Sequence, residues 1–247
     1  KFLIEIIGIH NRASASVRSK YVTHMHAVMA LTFPSIIEIL GTLAFAISGI
    51  RLASAKRFDW FGAYVVGLIT AIGGGTIRDL LLDTTAFWML NSIYLTVTAV
   101  ALLLVIIFGR YLIRLNNTFF IFDTIGLALF VVVGIQKTIA ANFPFWIAII
   151  MGTITGAAGG VLRDILINEV PLIFRKEIYA MACVFGGIVY WICYRLDYAP
   201  HLTQVLAALT VIATRIVAVK YKLSLPRLRG DEEVEESENS DREDSRQ

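Results

Sequence analysis

Long apolar stretches alternate with short polar segments along this chain, at 34–50, 60–77, 93–108, 119–135, 145–162, 178–194 and 202–219. Each holds roughly 16–18 residues, with one or two charges at most. Wound as a helix, such a run covers about 24–27 Å, close to the ~30 Å hydrocarbon core once interfacial residues are added. A helix satisfies its own backbone polar groups in lipid. The pattern therefore predicts an all-α polytopic membrane protein with seven transmembrane helices. A soluble helical core of this size would need charged faces on most helices, and the runs lack them.

The stretches also repeat. Thr70-Ala71-Ile72-Gly73-Gly74-Gly75-Thr76-Ile77-Arg78-Asp79 returns 85 residues later as Thr155-Gly156-Ala157-Ala158-Gly159-Gly160-Val161-Leu162-Arg163-Asp164. The same offset carries Gly41 to Gly126, Phe45 to Phe130, Gly49 to Gly134, Gly67 to Gly152 and Tyr94 to Tyr179, and turns Glu38 into Asp123. A fixed period of this kind marks a duplicated unit. The expected organisation is a polar leader at 1–33, a three-helix repeat at 34–115, a second at 116–199, a seventh helix at 200–222 and a disordered acidic tail at 223–247. Three spans per unit is an odd number, so the second repeat must enter the membrane inverted relative to the first, as in many transport proteins.

Composition sharpens this picture. Hydrophobic residues make up 57% of the 247, against about 45–50% in soluble domains. The net charge is +3, of which 231–247 contributes −7, leaving +10 on the remainder. Arg51, Lys56, Arg57, Arg110, Arg114, Arg175, Lys176, Lys220, Lys222, Arg227 and Arg229 fall on one side of the predicted topology, and Lys137, Arg195 and the charges of the leader on the other. The basic side faces the cytoplasm, which places the C-terminus inside and the N-terminus outside. Cys183 and Cys193 sit ten residues apart on one predicted helix, about 15 Å, too far to bridge.

Candidate chemistry is sparse. Gly73, Gly74 and Gly75, with Gly159 and Gly160, weaken their helices by about 1 kcal/mol each relative to alanine. One reading is a discontinuous helix whose freed carbonyls line a path. The other is close packing, since Gly67, Ala71 and Gly75, like Gly152, Gly156 and Gly160, form small-xxx-small faces. Arg78-Asp79 and Arg163-Asp164 follow each cluster, either as pore-lining charges or as ion pairs that lock the crossing of the repeats. Glu38 and Asp123, placed in the first turns of their helices, either complement the helix dipole or attract cations. Tyr94, Tyr179 and the tryptophans read as interfacial anchors. No nucleophile–base set, metal-ligand spacing, cofactor fingerprint or nucleic-acid motif is visible. A conduit is expected rather than an enzyme.

The segments 39–49, 73–81, Asn168-Glu169-Val170-Pro171 and Glu177-Ile178-Tyr179-Ala180 resemble bacterial membrane proteins built from two glycine-transporter-type domains, a family similar to the trimeric intracellular cation channels. The resemblance covers about residues 36–220. Ala158 departs from it, standing where the second motif has its first glycine. What the resemblance implies is a homotrimer with one pore per protomer, lined by glycine-kinked second and fifth helices and passing monovalent cations, chiefly potassium. The alternative is a carrier of glycine or another small amino acid.

Overall fold

The computed structural model describes residues 33–114, 118–174 and 178–223. Its long helices are α1 (Phe33–Ala55), α2 (Trp60–Leu81), α3 (Ile93–Arg114), α4 (Thr118–Ala140), α5 (Phe145–Leu166), α6 (Ala180–Arg195) and α7 (Pro200–Lys220). A single helical turn, Phe87–Leu90, follows α2, and a 3-10 turn, Leu172–Phe174, follows α5. No strand occurs among the described residues. Five helices (α1, α2, α4, α5 and α7) are long and apolar enough to cross a membrane; the apolar parts of α3 and α6 are shorter. The expected leader, apart from Phe33, and the expected tail beyond Leu223 lie outside the described residues.

Helix ends follow local chemistry. The Asp59 carboxylate accepts the Gly62 amide at 2.7 Å, satisfying one of the orphan donors at the start of α2. Pro200 opens α7, where its missing N–H is no loss. Arg57, Asp83, Asn142, Asn168, Asp197 and Lys222, all with positive φ, each turn the chain out of a helix. Two of these pairs, Arg57 with Asn142 and Asp83 with Asn168, keep the 85-residue offset.

Packing follows the same offset. Phe45 stacks on Phe130 with ring centroids 5.4 Å apart, and both are 1% exposed. Glu38 meets Lys137, while Arg163 links Ser48 to Asp123. Contact positions rise along α1 as they fall along α4, so the two helices run antiparallel. Helices α2 and α5 cross in the same sense. A Cβ added to Gly74 would overlap the Thr155 carbonyl oxygen, and one added to Gly159 would overlap the Thr70 carbonyl oxygen. Elsewhere a Cβ on Gly49 would meet the Gly67 Cα at 3.0 Å, and one on Gly134 the Gly152 Cα at 2.8 Å.

One expectation is corrected here. Helices α2 and α5 run as continuous α-helix through Gly73–Gly75 and Gly159–Gly160. No break frees their carbonyls. In lipid an unpaired carbonyl costs several kcal/mol, so the glycines serve close approach and the helical hydrogen bonds survive.

Candidate functional site

Two polar clusters sit inside this apolar frame, at opposite ends of the α1–α4 pair. In the first, Glu38 is the sixth residue of α1 and 6% exposed. It lies in the second turn, not the first, so the simple dipole reading of Glu38 does not apply. Lys137, from the last turn of α4, places its Nζ 2.7 Å from Glu38 Oε1. Tyr94 Oη donates to Glu38 Oε2 at 3.0 Å. Arg78 is completely buried; its Nη2 lies 3.7 Å from Glu38 Oε1 and 2.6 Å from Asp79 Oδ1. The other Asp79 oxygen accepts the Phe87 amide at 2.8 Å. The Phe87 ring lies within 5.6 Å of Arg78 and 5.2 Å of Lys137 Nζ.

The second cluster repeats this plan with changed partners. Asp123, again the sixth residue of its helix, is fully buried. Arg163 Nη1 donates to Asp123 Oδ1 at 2.5 Å and to Ser48 Oγ at 2.9 Å. Arg163 Nε donates to Asp164 Oδ1 at 2.9 Å, and Asp164 Oδ2 accepts the Leu172 amide at 3.0 Å. The second cation comes from α7: Arg215 Nη2 lies 3.8 Å from Asp123 Oδ2. Arg215 also stacks over Tyr179 at 4.7 Å and Phe120 at 5.0 Å, while Arg163 stacks over Phe119 at 4.6 Å.

Each cluster thus joins two carboxylates to two cations. Taking an isolated arginine out of water costs several kcal/mol, so burial demands this pairing. The pairs tie the end of α2 to α1, and the end of α5 to α1, α4 and, through Asp123, to α7. The 85-residue offset singles out Arg78, Asp79, Arg163, Asp164, Glu38 and Asp123 in pairs, and the fold brings each trio together. Sequence reasoning missed Lys137, Arg215 and Ser48, and it misread Tyr94 and Tyr179. These tyrosines are buried, at 6% and 2% exposure, and are not interfacial anchors. Lone charges at the end of one apolar run and inside another were the available signal for Lys137 and Arg215.

Gly73, Gly74, Gly75, Gly159 and Gly160 lie between the clusters, at the α2–α5 crossing or beside it. A Cβ on Gly75 would overlap the Phe87 ring, and one on Gly160 would come within 2.9 Å of Tyr179 Oη. Along α1 the levels of Glu38 and Ser48 differ by ten residues, so the clusters are separated by about 15 Å of helix. No group of three or more His, Cys, Asp or Glu suited to a metal ion occurs among the described residues.

Comparison with known proteins agrees with this duplicated plan. The glycine transporter family model matches twice, over residues 35–110 and 120–195. Over 199 residues the chain is 42% identical to the UPF0126 inner membrane protein YadS of Escherichia coli (strain K12), covering 79% of this chain and 96% of that protein. A solved structure bearing on conductance through TRIC cation channels is 35% identical, with a TM-score of 0.72 over 81% of this chain and 99% of its own. The TRIC trimeric intracellular cation channel orthologue from Rhodobacter sphaeroides is 29% identical, with a TM-score of 0.74 over 78% of this chain and all of its own. With two matched domains in tandem and a fold shared with the TRIC channels, this chain belongs to the glycine transporter family of membrane proteins.

Proposed function

We propose that this protein is a channel for monovalent cations, potassium foremost, with one path in each protomer between α2 and α5. The observation that carries this reading is the likeness to TRIC cation channels along nearly the whole length of those chains. Supporting it, Arg78 and Arg163 are neutralised by carboxylates, so neither presents an uncompensated charge that would repel cations. In the proposed arrangement seven helices span a bacterial inner membrane, and residues 34–115 and 116–199 form inverted repeats. Three chains assemble as a homotrimer, with the N-terminus outside and the C-terminus in the cytoplasm.

Small residues wall the path, and Gly73, Gly74, Gly75, Gly159 and Gly160 form its narrowest part. At Gly74 and Gly159 the two helices meet without space for a methyl group, which is a closed conformation on this reading. Opening separates α2 from α5, while Glu38 with Asp79 and Asp123 with Asp164 hold negative charge at the two mouths.

The family description also names glycine, so potassium and glycine flux are to be measured side by side in proteoliposomes. Ohmic unitary currents carried by potassium are expected. Saturable glycine uptake without unitary currents would replace the channel by a carrier, in which helix amides hold the substrate carboxylate.

A further inference from the structure

The correspondence between the repeats breaks at one place with a physical consequence. A cavity of about 320 Å³ opens where the end of α1 meets the end of α5, lined by Leu52, Phe119, Ile167, Leu172, Asp164 and Glu169, with Lys56 beside them. Its size is near the lower limit of the ~300–1,000 Å³ typical of small-ligand sites. An offset of 85 residues makes Lys137 the counterpart of Leu52, and Phe87 the counterpart of Leu172. At the other mouth those two positions therefore carry larger side chains. Lys137 runs its four-carbon chain past the Phe87 ring, with Nζ 5.2 Å from the centroid and 2.7 Å from Glu38.

At the second mouth Leu52 and Leu172 are shorter and neutral, and the balancing charge comes from Arg215 on a different helix. The position that carries a lysine at one mouth thus borders a cavity at the other, and that cavity keeps carboxylates. Asp164 already accepts Arg163 Nε and the Leu172 amide, yet a carboxylate offers about four acceptor positions. Glu169 is held by Lys56 at 2.5 Å in a pair whose side chains are 42% and 37% exposed. Exposed pairs of this kind contribute little to stability.

We infer that this cavity binds a primary alkylammonium ion about as long as a lysine side chain. Its chain packs on Leu52, Phe119, Ile167 and Leu172. Its ammonium rests on Asp164 and Glu169, displacing Lys56. Binding follows from the cavity alone; only its consequence, block of cation flux from the side bearing residue 56, rests on the channel reading.

The test titrates n-butylammonium into the purified, detergent-solubilised protein by calorimetry. Saturable binding is expected. Leu52→Lys, which supplies a tethered ammonium, and Leu52→Phe, which fills the space without charge, should each weaken binding at least tenfold. Ile167→Phe fills the cavity from another wall and serves if the Leu52 variants do not fold. Lys56→Gln removes the competitor and should tighten binding several-fold. Unchanged affinity in the folded wall variants overturns the site, and equal binding of n-butanol overturns the role of the carboxylates. Proteoliposome flux separates the two readings. Potassium flux without n-butylammonium binding removes only the cavity assignment, whereas binding without potassium flux removes only the channel.

Discussion

Glu38 and Asp123 occupy equivalent positions but differ by one methylene, and their tyrosines respond differently. Tyr94 Oη reaches Glu38 at 3.0 Å. Tyr179 Oη has no hydrogen-bond partner among the described residues and lies beside Gly160. Tyr94→Phe should therefore destabilise the protein by about 1.5–3 kcal/mol, the usual worth of a hydrogen bond to a charged group. Tyr179→Phe should change stability by a few tenths of that. Thermal unfolding in detergent reads both, and equal losses would show that the two hydroxyls are equivalent after all. Arg163→Met is the harsher case, because it removes the buried cation that Asp123 and Asp164 share at 2.5 and 2.9 Å and leaves Asp123 facing Arg215 at 3.8 Å. Losing one partner of a buried pair costs about 3–5 kcal/mol. Lys137→Met should cost far less, since Lys137 is 37% exposed and Glu38 keeps Tyr94 and Arg78. A Lys137→Met loss as large as that of Arg163→Met would mean the lysine is the true lock of the first cluster.

Among the helices, the small residues set the spacing. Gly74 and Gly159 let α2 and α5 meet backbone to backbone, and a Cβ at either would overlap the opposing carbonyl oxygen. Gly74→Ala and Gly159→Ala must push the pair apart, so each should lower the unfolding temperature and change flux. Gly109→Ala on α3 is the control: among the described residues nothing lies within 4 Å of its added Cβ, and alanine favours a helix by up to about 1 kcal/mol. If Gly74→Ala behaves like Gly109→Ala, the crossing is not where stability and flux are set. Helix positions were legible in the sequence, because lipid demands long uninterrupted apolar runs and duplication makes three of them appear twice. The same duplication announced Arg78 with Asp79 and Arg163 with Asp164. What stayed hidden was what the glycines do. Glycine lowers helix propensity and also permits close contact, and local sequence offers both readings without choosing between them. Contact with a partner helix decides between them. Lys137 and Arg215 were hidden for a related reason, since each completes a cluster in a unit other than its own.

At the scale of the whole molecule, the antiparallel pairing of α1 with α4 and of α2 with α5 puts equivalent parts of the two halves at opposite ends. Glu38 neighbours the end of α4, whereas Asp123 neighbours the Ser48 level of α1. Lys56, at the end of α1, reaches Glu169 beyond the end of α5. Its counterpart 85 residues on is Ala141, just past the end of α4, beside the cluster that holds Lys137 and Glu38. If the bundle axis runs along the bilayer normal, Lys56 and Ala141 must face different compartments. Single cysteines at these positions, in a background where Cys183 and Cys193 are replaced, should label from opposite sides with a membrane-impermeant maleimide. The cysteine at 56 should react only after the cytoplasmic side is opened, and the cysteine at 141 in intact cells. Labelling of both from one side would leave the antiparallel packing intact but lay the bundle differently in the membrane. The two charged clusters would then no longer stand at the two ends of a path across it.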